Sequence, residues 1–254
     1  MKHKGQILLI TVMVLATILT VVLSVSFQSI TETQVSKLEE ENQKALAAAE
    51  AGLEAALKSQ TGSATFGSGS LSNITGFTGG ASLITTTANN FTTPVLPQDA
   101  GYTFYLGDYN LETYEIGASL AQPVEICFQS PSPKPALEIT LVKTTGIKKY
   151  AVDPENPKRI NNALSPSSIC SNSSFNYSYS IPASDSDIGV DAKILFVRTL
   201  YQGGRLYFSR SSDLPLQGKT ISSSAVSQQT SVSKKITLFQ SYPQIPAEFF
   251  TAAF

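Results

Sequence analysis

The feature that most constrains this chain is an uncharged stretch near its start, from Gln6 to Thr31. About 20 apolar residues are enough to cross the hydrocarbon core of a bilayer, and residues 7–27 supply that length. Lys2 and Lys4 precede the stretch and Glu32 follows it. The positive-inside rule therefore predicts a cytoplasmic N-terminus, with the remainder of the chain on the other side of the membrane.

The helix is expected to continue well beyond the apolar stretch. No glycine or proline occurs between Gln6 and Ala51, and the residues after Thr31 are mostly strong helix formers. A secretory signal peptide would have a shorter apolar core followed by a cleavage site. We predict one helix from Gln6 to about Lys58, roughly 80 Å long at 1.5 Å per residue. Its second half carries an apolar stripe, interrupted by Asn42, that is typical of a helix packing lengthwise: Val35, Leu38, Leu46, Ala49, Leu53 and Leu57.

The C-terminal part, residues 99–254, reads as a β-rich domain. Runs of four to nine residues alternate apolar and polar positions, and no strand–helix–strand repeat is visible. The predicted fold class is α+β, with the second half of the long N-terminal helix packed on a largely antiparallel sheet. Gly203 and Gly204 are expected to turn a hairpin. The expected strands are 102–107, 123–129, 136–143, 175–181, 192–200, 220–226 and 231–239.

Between the helix and the sheet, residues 59–98 are rich in Ser, Thr, Gly and Asn and include no charged residue. Isolated large apolar residues such as Phe66 and Phe77 favour a partly packed loop, and a disordered linker is the alternative.

Two cysteines, Cys127 and Cys170, lie in the region expected outside the membrane. An even pair in an exported, β-rich region indicates one disulfide, which would contribute roughly 4 kcal/mol on the chain-entropy model. The alternative is two buried free thiols.

Little in the sequence indicates catalysis, a metal or nucleic acid. The single histidine is His3, and the formal net charge is −1 with scattered Lys and Arg. No nucleophile, phosphate-binding or His-metal motif occurs, so we predict no enzyme, no cofactor and no nucleic-acid partner. Asp185, Asp187 and Asp191 are weak candidates for calcium, although acidic residues are routine at a turn before a strand.

The N-terminal region resembles type IV pilins and pseudopilins. A short basic leader, Gly5 and a long uncharged helix are similar to their class III signal, which prepilin peptidase cuts after the glycine. The stretch ALAAAEAGLEAAL, residues 45–57, resembles the AAEAGLE signature of PilX-like minor pilins. The resemblance covers about the first 60 residues. Its motif positions are Ala48, Ala49, Glu50, Ala51, Gly52, Leu53 and Glu54.

The resemblance implies a cut between Gly5 and Gln6, which removes residues 1–5 and leaves a helix over 6–58. Residues 6–31 would be the transmembrane segment and later the filament core. Most pilins carry Glu at the fifth residue after the cut, where this chain has Ile10, and Thr11 is the only polar group nearby. A buried carboxylate needs a partner, so its absence changes the filament contact and favours a minor or priming subunit.

The implied partners are other pilins, prepilin peptidase, the pilus assembly platform and the cytoplasmic membrane. The protein would be a single-pass membrane protein before assembly and part of an extracellular filament afterwards, with a role in priming or at the tip, in adhesion or in uptake. The alternative is a membrane-tethered binding protein that does not polymerise.

Overall fold

The computed structural model describes residues 4–59, 62–84, 87–129, 132–246 and 249, and the side chains of residues 4–8 lie outside that description. One helix, α1 (Lys4–Lys58), is followed by strands and a 3-10 turn at Gly69–Leu71. The strands are β1 (Ala64–Thr65), β2 (Phe77–Ile84), β3 (Asn90–Thr92), β4 (Gly101–Tyr105), β5 (Val124–Phe128), β6 (Ala136–Lys143), β7 (Gly146–Val152), β8 (Tyr177–Ile181), β9 (Ala192–Leu200), β10 (Leu206–Ser209), β11 (Gly218–Ser227) and β12 (Ser233–Ser241).

The α+β class predicted from the sequence is confirmed: one long N-terminal helix accompanies three largely antiparallel four-stranded sheets. The chain divides into two compact units. The helix unit comprises Met1–Ile84 and Thr220–Leu238, and the sandwich unit comprises Thr85–Lys219 and Phe239–Phe254.

The helix unit places the second half of α1 on a sheet of strand order β1-β2-β11-β12. Strands β2 and β11 pair antiparallel over eight residues, from Phe77 opposite Ser227 to Ile84 opposite Thr220. Ala225 and Ile221 of β11 are buried against the helix-side clusters, together with Phe66 and Ala81. The helix and the sheet therefore bury their apolar faces against each other, as two layers must.

Two expectations about domain boundaries differ from the structure. Residues 59–98 contain β1, β2, β3 and the 3-10 turn rather than only a loop. Residues 220–238 pack with the helix unit, whereas the sequence assigned all of 99–254 to one domain. The pairing of β2 with β11 joins segments about 140 residues apart in the sequence and explains the second difference. The first depends also on β3, which pairs with the distant β10. Alternation within a strand does not reveal its partner.

The sandwich unit consists of two four-stranded sheets with one hydrophobic core. The strand orders are β4-β9-β6-β7 and β3-β10-β5-β8. Leu137, Ile139 and Leu141 of β6 are fully buried in this core, which confirms the face predicted from their alternation. Phe104 of β4 and Phe208 of β10 stack with ring centroids 4.1 Å apart, so the two sheets meet face to face.

The prediction of a hairpin at Gly203 and Gly204 is wrong. Strand β9 lies in one sheet and β10 in the other, so the connection passes between the sheets. Gly204 instead exchanges two backbone hydrogen bonds with Leu96. A Cβ at Gly203 would lie 2.3 Å from the carbonyl oxygen of Leu96. The glycines are therefore suited to a close approach of two backbone segments, a second reason for glycine besides a turn.

The disulfide predicted from the sequence is present between Cys127 and Cys170. Cys127 belongs to β5, and Cys170 lies in the segment between β7 and β8. The bond closes a loop with a sequence separation of 43 residues.

We expect Cys127→Ser/Cys170→Ser to lower the free energy of unfolding of the sandwich unit by about 2–4 kcal/mol, because the unfolded chain regains the entropy of the open loop. Urea unfolding of the full-length protein in detergent, followed by near-UV circular dichroism of the tyrosines, measures the change. Reduction of the wild-type protein should give the same loss. An unchanged urea midpoint in both would contradict the prediction.

Candidate functional site: the N-terminal helix

The first half of α1 presents an apolar surface around its whole circumference. Residues 9–31 are exposed throughout, and in the described part of the chain α1 is the one helix long and apolar enough to cross a membrane. Several of its polar side chains are satisfied within the helix: the hydroxyls of Thr17, Thr20 and Ser26 donate to carbonyl oxygens three or four residues earlier, at 2.8–2.9 Å. Internal satisfaction of polar groups is what a lipid environment requires.

The residues expected at the processing site and the filament contact all lie on this half. Gly5 and Gln6 belong to the first turns of α1, and their side chains are outside the described part. Ile10 and Thr11 are both exposed, with 53% of Ile10 accessible. Their roles in processing and docking remain predictions.

The second half of α1 packs on its sheet through small residues. The buried positions follow one face at spacings of three and four: Glu41, Ala45, Ala48, Ala49, Gly52 and Ala56. The apolar stripe noted in the sequence lies mostly outside this face, since only Ala49 of the stripe is buried and Leu53 half-buried. Val35, Leu38, Leu46 and Leu57 are exposed, with 56% of Val35 and 41% of Leu46 accessible. The largest side chains thus do not mark the face that contacts the sheet.

The packing of this face explains the small residues in the stretch 48–54. Ala48, Ala49 and Gly52 are its buried members, and Glu50 is exposed. A Cβ at Gly52 would lie 2.7 Å from Oγ of Ser223 and 3.2 Å from a ring carbon of Phe66. Glycine is therefore required by the close approach of helix and sheet.

One charged residue is buried in the same contact. Glu41 is 8% exposed and accepts a hydrogen bond of 2.7 Å from the hydroxyl of Ser227 on β11. The pKa of Glu41 lies below its usual value, mainly because of this hydrogen bond. Burial acts in the opposite direction and raises the pKa, but the nearby ammonium of Lys44 lowers it further. Because a buried carboxylate is costly without partners, this pair fixes the position of the helix along β11.

Sequence reasoning missed Glu41, Ala45 and Ala56 as contact residues. The sequence pattern that could have identified them is a series of small residues at helical spacing, which begins with the polar residue Glu41. The apolar stripe drew attention instead, because large side chains dominate hydrophobic periodicity.

The exposed stripe borders an open groove on the helix unit of about 520 Å³. Val35, Leu38 and Leu46 give it an apolar lining, and Lys234 of β12 forms one side. Beyond Glu32, the stripe follows directly from the apolar first half of α1. The helix therefore has two separate apolar surfaces, one of which its own sheet covers.

Two of the three candidate calcium residues, Asp187 and Asp191, have carboxylates paired with lysines, whereas Asp185 is contacted by Lys143 only at its backbone carbonyl oxygen. The carboxylate of Asp187 accepts hydrogen bonds from Lys148, Tyr150, Ser184 and Ser186. That of Asp191 lies 3.3 Å from the ammonium of Lys143. In the part of the chain that the structure describes, the grouping with metal-ligand spacing is instead Glu125, Cys127 and Cys170, whose two sulfurs already form the disulfide.

No protein family model, curated protein or solved structure shows significant similarity to this chain. Its function is therefore inferred from its own residues and geometry.

We expect Gly52→Val to destabilise the helix unit by about 1–3 kcal/mol, because the added side chain overpacks the contact with Ser223 and Phe66. Thermal unfolding of the full-length protein in detergent, followed at 222 nm, measures the change. Ala47→Val is the matched control: residue 47 is exposed on the same helix, so it should cost only helix propensity, about 0.5 kcal/mol. Equal effects of the two variants would show that residue 52 needs no close approach.

Burial alone would raise the pKa of Asp187, but its hydrogen bonds from Lys148, Tyr150 and two serines hold the pKa well below the usual value of 3.8. A lowered folded-state pKa contributes stability that is complete above the usual value and is lost as the pH falls toward the folded one. Asp187→Asn should therefore cost about 1.5–3 kcal/mol at neutral pH.

The difference between the wild type and Asp187→Asn should shrink steadily below about pH 4, in urea unfolding measured across the pH range. Asp185→Asn is the matched control, since its exposed carboxylate has no such network in the described residues; it should stay within about 0.5 kcal/mol of the wild type. A difference that is independent of pH would contradict the role assigned to the charge.

Proposed function

We propose that this protein is a minor pilin or pseudopilin-like subunit of a type IV filament. α1 serves first as a membrane anchor with its N-terminus in the cytoplasm. Prepilin peptidase removes residues 1–5, and the assembly platform transfers the helix from lipid into a bundle of similar helices outside the cell. The protein performs no covalent chemistry in this role.

The observation that carries the proposal is the division of α1 into two apolar surfaces. Ala48, Ala49 and Gly52 bury one face against the sheet of the same chain, and Val35, Leu38 and Leu46 stay exposed beyond the membrane-compatible half. A plain anchor needs apolar residues only within the bilayer. An exposed apolar stripe that continues past Glu32 supports lengthwise contact with other helices.

Ile10 supports a minor rather than a major role. In the pilins that this chain resembles, the acid at that position is thought to pair with the N-terminal amine of a neighbouring subunit. A subunit without the acid offers no such partner, so a position where one axial contact is dispensable suits it best. The tip of the filament or a priming complex meets that condition.

We expect Gly5→Val to leave the precursor uncut in the cytoplasmic membrane, because a branched side chain obstructs the peptidase. Mass spectrometry of the N-terminus should find Gln6 in the wild type and Met1 in the variant. Gln28→Val, at a position on the same helix far from the cut, should be processed like the wild type. Normal processing of Gly5→Val would contradict the pilin proposal and favour the non-polymerising, membrane-tethered binding protein.

A further inference from the structure

The outer face of the β3-β10-β5-β8 sheet carries a row of polar side chains. Asn90 is opposite Ser209, Ser209 is opposite Glu125, and Glu125 is opposite Ser180, so the row crosses all four strands. The neighbouring positions on these strands point into the sandwich core, where Phe208 and Ile126 are fully buried. A packed core thus supports the row from below.

The disulfide-linked segment forms one wall above this row. Cys170 is bonded to Cys127 of β5, and the hydroxyl of the next residue, Ser171, donates to Oε2 of Glu125. The hydroxyl of Ser178 donates to the carbonyl oxygen of Ile169. These bonds hold the segment over the sheet and leave an open groove of about 500 Å³, lined also by Tyr207 and Arg210.

The polar groups of this groove are only partly used by the protein. Ser171 and Ser209 both donate to Oε2 of Glu125, and Oε1 accepts no hydrogen bond from the residues that the structure describes. The guanidinium of Arg210 bonds two backbone carbonyls through Nε and Nη2, those of Ser212 and Asp213. Its Nη1 is a further donor.

This set of groups distinguishes between ligand classes. A groove lined by one carboxylate and one guanidinium has too little negative charge for a hard cation, which prefers several oxygen ligands. The same carboxylate repels anions, and most residues that line the groove are polar, unlike those of a pocket for hydrophobic ligands. Closely spaced hydroxyls, amides and one carboxylate match a neutral ligand with many hydroxyl groups.

We propose that this groove binds a neutral sugar residue of a glycan. Oε1 of Glu125 accepts hydrogen bonds from sugar hydroxyls. Nη1 of Arg210 and the second amide hydrogen of Asn90, whose first is donated to Oδ1 of Asn89, donate to ring or hydroxyl oxygens. The Tyr207 ring, which also packs against Phe175, contacts the C–H face of the sugar. The site belongs to the sandwich unit alone and does not depend on filament assembly.

Saturation-transfer NMR on the full-length protein tests this site, in a detergent without a sugar headgroup. The probes are the methyl glycosides of glucose, galactose, mannose and N-acetylglucosamine, at millimolar concentrations because an open groove binds a small ligand weakly. At least one probe should show saturation transfer with the wild type. Glu125→Gln and Asn90→Ala should each weaken its affinity about tenfold or more, as expected for lost hydrogen bonds.

Glu112→Gln is the matched control, because it removes one exposed carboxylate from the same unit, outside the groove. This variant should bind like the wild type. Near-UV circular dichroism confirms that each variant is folded. The proposal would be overturned if the wild type transferred saturation to none of the four probes. It would also be overturned if folded Glu125→Gln kept the wild-type affinity. Either result leaves the filament proposal intact, since Gly5 processing is measured separately.

Discussion

The close contact between the second half of α1 and its sheet determines how the helix unit is built. Small residues allow the helix backbone to approach β2 and β11, and at Gly52 the approach leaves no room for a Cβ. The hydrogen bond between Glu41 and Ser227 fixes the helix along the strand. Because dispersion contacts weaken steeply with separation, larger residues on this face would hold the two layers apart.

That contact decides which surface of the helix remains for other molecules. Since alanines and glycine provide the contact within the chain, Val35, Leu38 and Leu46 are exposed beside the groove that Lys234 borders. They continue the apolar surface of the first half past the point where a membrane would end. The arrangement suits a helix that contacts its own sheet on one face and other helices on another, as the filament proposal requires.

The sequence predicted the helix, its C-terminal end, most strands and the disulfide, because each rests on a local pattern or on a count of cysteines. It failed where the outcome depends on distant partners. The pairing of β2 with β11 moved residues 220–238 into the helix unit, and Gly203 and Gly204 serve a backbone contact with Leu96 rather than a hairpin. At the helix, periodicity located the large apolar residues, and the buried face is the one with small residues.

Thiol labelling of Leu46→Cys tests the central claim most directly. Both native cysteines are in the disulfide, so the introduced residue is the only free thiol. The account predicts that a maleimide labels Cys at position 46 in membranes and much more slowly in sheared filaments, where neighbouring helices cover the stripe. Thr113→Cys, on an exposed loop of the sandwich unit, controls for general access. Equal labelling of position 46 in both forms would contradict the account. Absence of the protein from the filaments would contradict it as well.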